Sequence, residues 1–284
     1  MTEIRGSVCI VTGAGSGIGR ELAIQSAKRG ARRVIVTDVS QTGLDETCCL
    51  VSDRDARLEP HLFDVGMADE INDFVQSVLP TLANDRLILI NNAGMALCSG
   101  RFQDTPLESF ERLLDVNLLG VIRLTKGFYG YLLKRGEGHV VNISSVFGLG
   151  GMDCQSAYCT SKFAVRGFTE TLRMELSDSR VNVTCVHPGG IKTNIVRNSS
   201  PTGTMIDQEL YDRIIRDFDK IASTTAEKAA LQILDAVERN RTRLVIGFDG
   251  LQFDWVTRLF PVRYTAMIIR KYREQFSNPY EKNS

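Results

Sequence analysis

The sequence predicts a single α/β domain, built on a parallel sheet of about seven strands with helices on both faces. Short runs rich in β-branched residues alternate along the chain with longer amphipathic segments. The runs are almost continuously apolar, which is typical of strands that are buried on both faces of a parallel sheet. No repeat, low-complexity tract or linker divides the 284 residues, and this length is compatible with one large domain.

The predicted elements follow this alternation in chain order. Strands are predicted at residues 8–12, 33–38, 61–65, 86–91, 139–144, 181–186 and 243–247, of which 61–65 has the weakest signal. Helices are predicted at residues 18–29, 68–83, 107–135, 157–178 and 226–239. We expect residues 1–250 to form the main domain, with 190–225 as a lid segment over it and 251–284 as a C-terminal helical extension.

The composition argues against several classes of protein. Lys plus Arg and Asp plus Glu both number 34, so the chain lacks the basic excess of a nucleic-acid binder. We expect no signal peptide, and no apolar run reaches the roughly 18 residues that span a bilayer. The seven cysteines have no CxxC or CxxH spacing, so we predict no metal site. Free thiols indicate a cytoplasmic protein.

A glycine-rich stretch, TGAGSGIG at residues 12–19, joins the first predicted strand to the first helix. Its spacing is GxxxGxG rather than GxGxxG. Glycines at this position allow a tight turn and the close approach of a pyrophosphate, which would rest on the helix N-terminus. A plain strand-to-helix turn is the alternative. The candidate contacts to a dinucleotide are Gly13, Ser16, Gly17, Ile18 and Gly19.

Two aspartates follow predicted strands at the same edge of the sheet. Asp38 ends the second strand, where a carboxylate can accept hydrogen bonds from the adenosine ribose and repel a 2′-phosphate. It therefore favours NAD over NADP, although a strand-end turn residue is the alternative. Asp64 and Val65 end the next strand and are candidates to contact the adenine. A loop or helix-cap aspartate is nearly as good an interpretation of Asp64.

A tyrosine and a lysine lie four residues apart on the predicted helix 157–178, so they share one face of it. An ammonium at Lys162 would favour the ionised form of Tyr158, whose ordinary pKa is near 10. Tyr158 could then take a proton from an alcohol, or return it to a carbonyl oxygen. Ser145 lies 13 residues upstream and could hydrogen-bond the substrate oxygen. Ser144 should point the opposite way, because neighbours on an extended strand alternate.

Six motifs now stand in one order, and together they resemble the short-chain dehydrogenase/reductase family. They are TGAGSGIG (12–19), NNAG (91–94), Asn117, Ser145, YCTSK (158–162) and PGGIKT (188–193). The resemblance implies a doubly wound, Rossmann-like domain and hydride transfer with a nicotinamide cofactor. It also implies that Ser145, Tyr158, Lys162 and Asn117 form the catalytic set, with Lys162 on the nicotinamide ribose and Asn117 kinking a helix to hold a relay water.

The resemblance implies further contacts to the cofactor and to other subunits. Asn91 would support the central sheet beside the cofactor, whereas Ala93 and Gly94 would let the cofactor pass close. The segment that flanks the nicotinamide would supply Pro188, Gly189, Ile191 and Thr193. The family also implies a homodimer or homotetramer, joined by the helices at 107–135 and 157–178.

The candidate substrate pocket is largely apolar. Beside Ser145 it comprises Met95, Phe147, Leu149, Met152, Ile195 and Met205. Such a lining favours a hydrophobic alcohol or ketone, such as a steroid, a retinoid or an acyl chain. The same residues could instead be lid packing.

The extension beyond residue 250 combines aromatic and aliphatic residues with arginines, and Pro261 should interrupt it. We favour a helix that packs on the core or on a partner subunit. A membrane-surface helix is the alternative.

The leading interpretation is an NAD-dependent dehydrogenase of a hydrophobic secondary alcohol. A carbonyl or 3-oxoacyl reductase that uses NADPH is the nearest alternative, and Asp38 argues against it. An NAD-sensing binding protein without turnover is an alternative of another class, which the complete catalytic set weakens. A methyltransferase could share the sheet but has no need of Tyr158 beside Lys162.

Overall fold

Seven parallel strands form the central sheet of the computed structural model, which describes residues 1–51, 56–199 and 206–275. The strands are β1 (Val8–Thr12), β2 (Arg33–Asp38), β3 (Arg57–Leu62), β4 (Leu87–Asn91), β5 (Glu137–Ile143), β6 (Arg180–Pro188) and β9 (Arg243–Ile246). Two short strands, β7 (Ile191–Lys192) and β8 (Thr224–Thr225), pair separately. The order across the main sheet is β3-β2-β1-β4-β5-β6-β9, which confirms the predicted fold class.

Helices connect the strands and cover both faces of the sheet. They are α1 (Gly17–Lys28), α2 (Gln41–Cys49), α3 (Ala68–Val78), α4 (Leu107–Leu114), α5 (Gly120–Arg135), α6 (Ser156–Glu175), α7 (Gln208–Ile221), α8 (Ala226–Glu238), α9 (Phe248–Leu259) and α10 (Tyr264–Gln275). One apolar cluster joins the sheet to α1 and α8, and a second joins its other face to α3, α5 and α6. Every residue of β1 and β4 is buried, as strands between two helical layers must be.

The order of the strands decides where a site can form. The chain runs outward from β1 through β2 to β3, then returns to β4 on the other side of β1. In a doubly wound sheet, ligands bind in the crevice outside the carboxyl ends of the strands at such a reversal. The glycine stretch after β1 and the NNAG motif at the end of β4 therefore meet at this crevice.

The structure corrects three local predictions. The third strand covers Arg57–Leu62 rather than 61–65, so Asp64 lies beyond the strand instead of ending it. This strand is at the edge of the sheet and only partly buried, so it lacks the apolar run of the others. The helix α2 was not predicted. The predicted helix 107–135 is interrupted by a π-helical turn over Asp115–Leu119.

The C-terminal helices begin earlier than predicted. The helix α9 starts at Phe248, three residues before the expected boundary at 250/251. Pro261 lies between α9 and α10, as predicted. In the described part of the chain, no helix has both the length and the apolar content needed to cross a bilayer.

Candidate active site

The glycine loop brings the start of α1 against the NNAG motif. Gly13 and Gly17 have left-handed φ values of 66° and 54°, a conformation that glycine adopts without strain. A Cβ on Gly13 would lie 2.8 Å from Cα of Ala93, so the two segments approach backbone to backbone. Ser16 caps α1, and its side chain makes no capping hydrogen bond. Its hydroxyl and the N–H groups of the first helical turn are therefore available to an anion.

The remaining loop residues have different roles. Ile18 is half-buried and packs on the apolar core below α1. Gly19 is buried, and a Cβ there would lie 2.0 Å from the carbonyl oxygen of Gly13. Gly19 therefore permits the tight turn itself, because any side chain would displace the loop.

Asp38 lies directly against the glycine loop. Its carboxylate accepts hydrogen bonds from the backbone N–H of Gly15 at 2.8 Å and of Ser40 at 3.0 Å. The residue is only half-buried. The cations at the start of β2 point elsewhere, since Arg32 pairs with Asp85 and Arg33, the first residue of the strand, pairs with Glu59.

Asp64 is held by protein groups. Its carboxylate forms an ion pair with Arg112 of α4 and accepts a hydrogen bond from the N–H of Gly66 at 2.8 Å. This geometry matches the alternative interpretation of Asp64 as a loop aspartate, and it leaves the adenine contact a prediction. Val65 is buried in the core cluster below α3 and α5.

The NNAG motif divides its residues between the sheet and the crevice. Asn91 is buried and donates to Thr125 at 3.0 Å and to Asn142 at 2.8 Å, so its side chain supports the sheet, as predicted. The N–H of Ala93 donates to the hydroxyl of Thr12 at 2.9 Å. Gly94 is exposed, and the crevice is therefore open above it.

The side chains of Asn117 and Lys162 meet at this opening. A Cβ on Gly94 would lie 3.2 Å from Oδ1 of Asn117 and 3.4 Å from Nζ of Lys162. The glycine thus leaves free the space between an amide and an ammonium. A ligand that crosses Gly94 can contact both.

Asn117 lies in the π-helical turn between α4 and α5 and is fully buried. Its Oδ1 accepts from the N–H of Met95 at 2.8 Å, and its Nδ2 donates to the carbonyl oxygen of Met95 at 2.9 Å. Nδ2 also donates to Ser161 at 3.3 Å. The helix is distorted at this residue as the resemblance implied, and the Asn117 amide holds the chain at Met95. The relay water stays a prediction.

The two serines after β5 point in different directions, as predicted. Ser144 is buried and donates to the carbonyl oxygen of Lys162 at 2.8 Å. Ser145 accepts from the N–H of Phe147 at 3.1 Å and hydrogen-bonds the phenol of Tyr158. Its own carbonyl oxygen lies 3.1 Å from Nδ1 of the buried His187. Ser145 is therefore the serine that shares a site with the tyrosine.

The charge state of Tyr158 differs from the expectation. Burial raises the pKa of Tyr158 to about 12, and the hydrogen bond with Ser145 only partly opposes this. Burial also lowers the pKa of Lys162 to about 8. The ammonium lies 5.6 Å from the ring centre and donates to the carbonyl oxygen of Ile143 at 3.0 Å. In the protein alone, Lys162 does not overcome the burial of the phenol.

The segment after β6 closes the crevice from the other side. Pro188 and Ile191 are buried, whereas Gly189 and Thr193 are partly accessible. A Cβ on Gly17 would lie 3.2 Å from Cγ2 of Thr193, so this segment touches the glycine loop. The structure thus gathers both predicted cofactor segments at one place.

Apolar side chains surround the tyrosine on the substrate side. Met95 packs in a small cluster with Tyr158, and the ring of Phe147 meets that of Tyr158 edge-on at 6.2 Å. Leu149 is buried, while Met152 and Ile195 are half-buried. Met205 lies outside the described residues.

Several residues that the sequence analysis missed support this site. The carboxylate of Asp249 in α9 accepts from the N–H of Gly190 at 2.6 Å. The ring of Phe253 lies 6.3 Å from that of Phe147, and the hydroxyl of Tyr264 accepts from the N–H of Gly151 at 2.8 Å. All three come from the C-terminal helices, where no motif marks them. The expectation that this extension packs on the core or on a partner subunit did not identify which of its residues reach the site.

Known proteins share this sequence and this fold. The family model described as short chain dehydrogenase matches residues 7–203. The oxidoreductase SadH of Mycobacterium tuberculosis is 36% identical over 271 residues, which cover 94% of this chain and 96% of SadH. A short chain dehydrogenase/reductase of Burkholderia phymatum, solved in complex with NAD, is 22% identical with a TM-score of 0.80 and covers 95% of this chain and 97% of its own.

A second solved structure shows the other nucleotide. Serine dehydrogenase in its closed form, complexed with NADP⁺, is 24% identical with a TM-score of 0.73. The match covers 84% of this chain and 94% of that one. These two proteins are similar to this chain in fold, and one holds NAD whereas the other holds NADP⁺. The family model spans both the crevice and the helix that carries Tyr158, and SadH matches this chain almost from end to end. This chain therefore belongs to the short-chain dehydrogenase/reductase family of oxidoreductases.

Proposed function

We propose that the chain is a dehydrogenase that transfers a hydride between NAD(H) and a hydrophobic secondary alcohol or its ketone. The observation that carries the proposal is the meeting of four side chains at one opening. Ser145 hydrogen-bonds Tyr158, Lys162 lies under the same ring, and Asn117 and Lys162 flank Gly94. A proton donor beside an open crevice is what reversible alcohol oxidation needs.

The crevice fits a nicotinamide dinucleotide. Ser16 and the first turn of α1 would hold the pyrophosphate, and the gap over Gly94 would admit the nicotinamide ribose beside Lys162. Thr193, which touches the glycine loop, would contact the nicotinamide. When bound, the nicotinamide ring accepts or supplies the hydride.

Asp38 supports NAD as the preferred nucleotide. Its carboxylate is fixed by two backbone N–H groups, and the residue is only half-buried beside the glycine loop. It can accept hydrogen bonds from ribose hydroxyls, and its charge would repel a 2′-phosphate. Arg32 and Arg33, which could have neutralised such a phosphate, are engaged with acidic partners away from the crevice.

The protein's own part in the reaction is to move one proton. In the oxidation, the phenolate oxygen of Tyr158 takes the proton of the substrate hydroxyl group while the carbon that bears this hydroxyl loses a hydride. In the reduction, the phenol returns that proton to the carbonyl oxygen. Ser145 holds the same substrate oxygen and stabilises the charge that develops on it. Lys162 supplies positive charge below the ring, and Asn117 fixes the chain at Met95.

The pocket lining supports an apolar substrate. Phe147 and Met95 flank Tyr158, and Phe253 and Tyr264 extend this apolar wall from the C-terminal helices. An alcohol on a largely hydrocarbon body would fill such a wall with little loss of hydrogen bonding.

We also propose a homo-oligomer that is formed through α6 and the α4–α5 segment. Phe163 and Met174 are exposed on α6, and their spacing of eleven residues puts them on the same face of the helix. No disulfide joins any of the seven cysteines, all of which lie in the described part of the chain, in keeping with a cytoplasmic enzyme.

The test is turnover on a panel of alcohols that range from short and polar to long and apolar. Each would be offered with NAD and then with NADP, and the reduced cofactor would be followed by absorbance. We expect kcat/KM to rise with apolar surface and to be higher with NAD. A preference for NADP would favour the reductase alternative. Bound NAD with no turnover across the panel would overturn the dehydrogenase in favour of a sensing role.

A further inference from the structure

The helix α9 packs on the protein by one side only. On this inner side, Asp254 holds Arg243 through two hydrogen bonds of 2.9 and 2.6 Å. Large apolar residues on the outer side are exposed, among them Leu251, Trp255 and Leu259. The contacts of the inner side therefore fix how the first turn of α9 meets the rest of the molecule.

The first turn of α9, at residues 247–250, lies against the end of β6. The N–H of Gly189 donates to the carbonyl oxygen of Ile246 at 2.9 Å. A Cβ on Gly250 would lie 3.5 Å from the backbone nitrogen of Gly189. The turn is therefore in contact with the segment that would flank the nicotinamide.

Asp249 connects these two stretches of chain through its side chain. Its Oδ2 accepts a hydrogen bond from the N–H of Gly190 at 2.6 Å. The carboxylate also lies over Gly189, because a Cβ on that glycine would be 2.5 Å from Oδ2 and 2.8 Å from Oδ1. Gly189 does not have a left-handed φ. The space that Asp249 occupies, rather than the backbone conformation, therefore requires a glycine there.

The other carboxylate oxygen of Asp249 is buried. Oδ1 accepts no hydrogen bond from any residue that the structure describes, and a Cβ on Gly247 would lie 2.4 Å from it. A buried polar oxygen without a donor costs free energy of folding, which the hydrogen bond to Gly190 offsets only in part. The benefit of Asp249 lies in the position of the backbone that it holds.

That backbone leads directly into the crevice. The N–H of Gly190 is held by Asp249, and its carbonyl oxygen accepts from the N–H of Thr224 at 3.3 Å. Thr193 follows three residues later and lies beside the glycine loop, where a Cβ on Gly17 would be 3.2 Å from its Cγ2. Both polar groups of Gly190 are thus fixed just before the residues that would contact the nicotinamide.

We propose that Asp249 is a positioning residue for the nicotinamide half of the cofactor and acts on it through the backbone of Gly190. The inference rests on the proposed function, since it takes residues 188–193 as the nicotinamide contact. Loss of the carboxylate should weaken binding of the nicotinamide end. The adenosine end, which the glycine loop and Asp38 would hold, should bind as before.

The experiment compares two ligands, because ADP-ribose is NAD without its nicotinamide ring. Calorimetry gives the dissociation constant of each for the unchanged protein and its variants. Asp249→Ala should weaken NAD binding about ten-fold, as for the loss of a hydrogen bond to a charged group, and ADP-ribose binding less than about two-fold. Asp249→Asn keeps an oxygen for the N–H of Gly190, so it should bind both ligands within about two-fold of the unchanged protein.

Asp254→Ala is the matched control, because it is the same change on the same side of α9. It breaks the contact with Arg243 and leaves Asp249 in place. It should therefore lower the melting temperature and keep both affinities.

Gly189→Ala tests the same contact from the opposite side, since its Cβ would displace the carboxylate of Asp249. It should weaken NAD binding as Asp249→Ala does and spare ADP-ribose. In the Asp249→Ala background it should cause no further loss, because the atoms that the Cβ meets are gone. This variant also keeps the inference testable if Asp249→Ala does not fold.

Three outcomes would overturn the positioning role: unchanged NAD affinity in Asp249→Ala, equal weakening of NAD and ADP-ribose, or Asp249→Asn as weak as Asp249→Ala. The second would make Asp249 a support of the whole crevice, and the third would assign its effect to charge. The test needs binding but no turnover. Bound NAD without turnover overturns the dehydrogenase alone, whereas turnover with unchanged NAD affinity in Asp249→Ala overturns the positioning role alone.

Discussion

The phenol of Tyr158 is the residue on which the proposed chemistry depends. Burial raises its pKa to about 12 in the protein without cofactor, too high for a base near neutral pH. Lys162 lies below the ring and is itself less basic than usual, with a pKa of about 8. The phenol therefore needs a further positive charge beside it, and oxidised nicotinamide would supply one.

The first prediction concerns this titration. The phenol of Tyr158 should ionise near pH 12 in the free protein and at a clearly lower pH when NAD is bound. Ultraviolet difference spectra of the unchanged protein against Tyr158→Phe, recorded across pH with and without NAD, isolate the signal of this one tyrosine. If the pKa of Tyr158 is the same with and without NAD, oxidised nicotinamide does not supply the further positive charge beside the phenol.

The same variant tests the role of the hydroxyl. Tyr158→Phe should lower kcat at least about a hundred-fold, which is the usual contribution of a positioned proton donor. Folding and NAD affinity should change little, because the ring contact with Phe147 remains. Stopped-assay rates, calorimetric NAD binding and circular dichroism measure the three properties. Near-normal turnover would remove Tyr158 from the mechanism.

A further prediction at this scale concerns the choice of nucleotide. Asp38→Asn removes the charge that opposes a 2′-phosphate but keeps one oxygen for the N–H of Gly15 or Ser40. The ratio of kcat/KM for NAD to that for NADP should fall about ten-fold or more, as expected for the loss of charge-assisted hydrogen bonds. Asp45→Asn, the same change on the neighbouring helix α2, should keep the ratio. Equal ratios in all three proteins would refute the placement of Asp38.

Motifs located the principal residues but not their supports. Successive side chains at the end of a strand point to opposite sides, and this distinguished Ser145 from Ser144 in the sequence. In the structure the two hydroxyl groups hydrogen-bond different partners. His187 and Asp249 could not be found in this way. Each acts on a backbone group, Ser145 O and Gly190 N, that is distant in the sequence. Only tertiary structure brings such pairs together.

At the scale of elements, the C-terminal helices hold the loop that precedes α6. The hydroxyl of Tyr264 in α10 accepts from the N–H of Gly151, and the rings of Phe253 and Tyr264 contact each other at 6.4 Å. This loop carries Met152 and connects Ser145 to Tyr158 along the chain. Its position therefore sets the shape of the pocket, and α10 sets its position.

We accordingly expect Tyr264→Phe to raise KM for bulky apolar alcohols about five-fold, which corresponds to one lost hydrogen bond, with little change in kcat. NAD affinity should stay the same. Tyr131→Phe is a matched control, because that hydroxyl also hydrogen-bonds a backbone group, here as a donor to the carbonyl oxygen of Asp85, but at the other end of the sheet. If both variants raise KM alike, the loop does not depend on Tyr264.

Elements with strong apolar patterns were predictable, and those held by specific contacts were not. Within β1 and β4 every residue is buried, so an unbroken apolar run marks them. The edge strand β3 instead gains from the ion pair of Arg33 with Glu59 across the strands, which leaves no periodic signal. The π-helical turn at Asn117 was not predicted from the apolar pattern either, and only the family resemblance indicated a kink there.

For the whole molecule, two buried histidines predict how stability depends on pH. Burial lowers the pKa of His139 to about 3 and that of His187 to about 4, whereas histidines in an unfolded chain have pKa values of about 6.5. Below pH 6.5 the unfolded chain therefore binds protons that the folded chain does not. The free energy of unfolding should therefore fall as the pH is lowered from about 7 toward 4.

The prediction is tested by urea unfolding between pH 7 and pH 5. Each histidine should contribute a slope of up to about 1.4 kcal/mol per pH unit in the acidic part of this range. His139→Gln should reduce the slope by one proton, whatever it does to the stability at pH 7, because the amide does not titrate. An unaltered slope in this variant would show that His139 accepts a proton in the folded state.

The general architecture followed from the sequence because the whole chain repeats one pattern of buried strand and covering helix. Where the pattern stopped, at residues 190–225 and beyond 250, the analysis could name segments but not their contacts. The contribution of α9 to both the core and an exposed apolar surface depends on rotation about the helix axis, which composition does not encode.

The rotation of α9 also limits how the length of the chain can vary. One residue inserted after Gly250 would turn the rest of the helix by about 100°, so Phe253 would leave Phe147 and Asp254 would leave Arg243. One residue inserted in the turn at 260–263 would leave α9 in register. Among homologues, we expect insertions and deletions to be absent from 248–259 and to collect in the turn that follows.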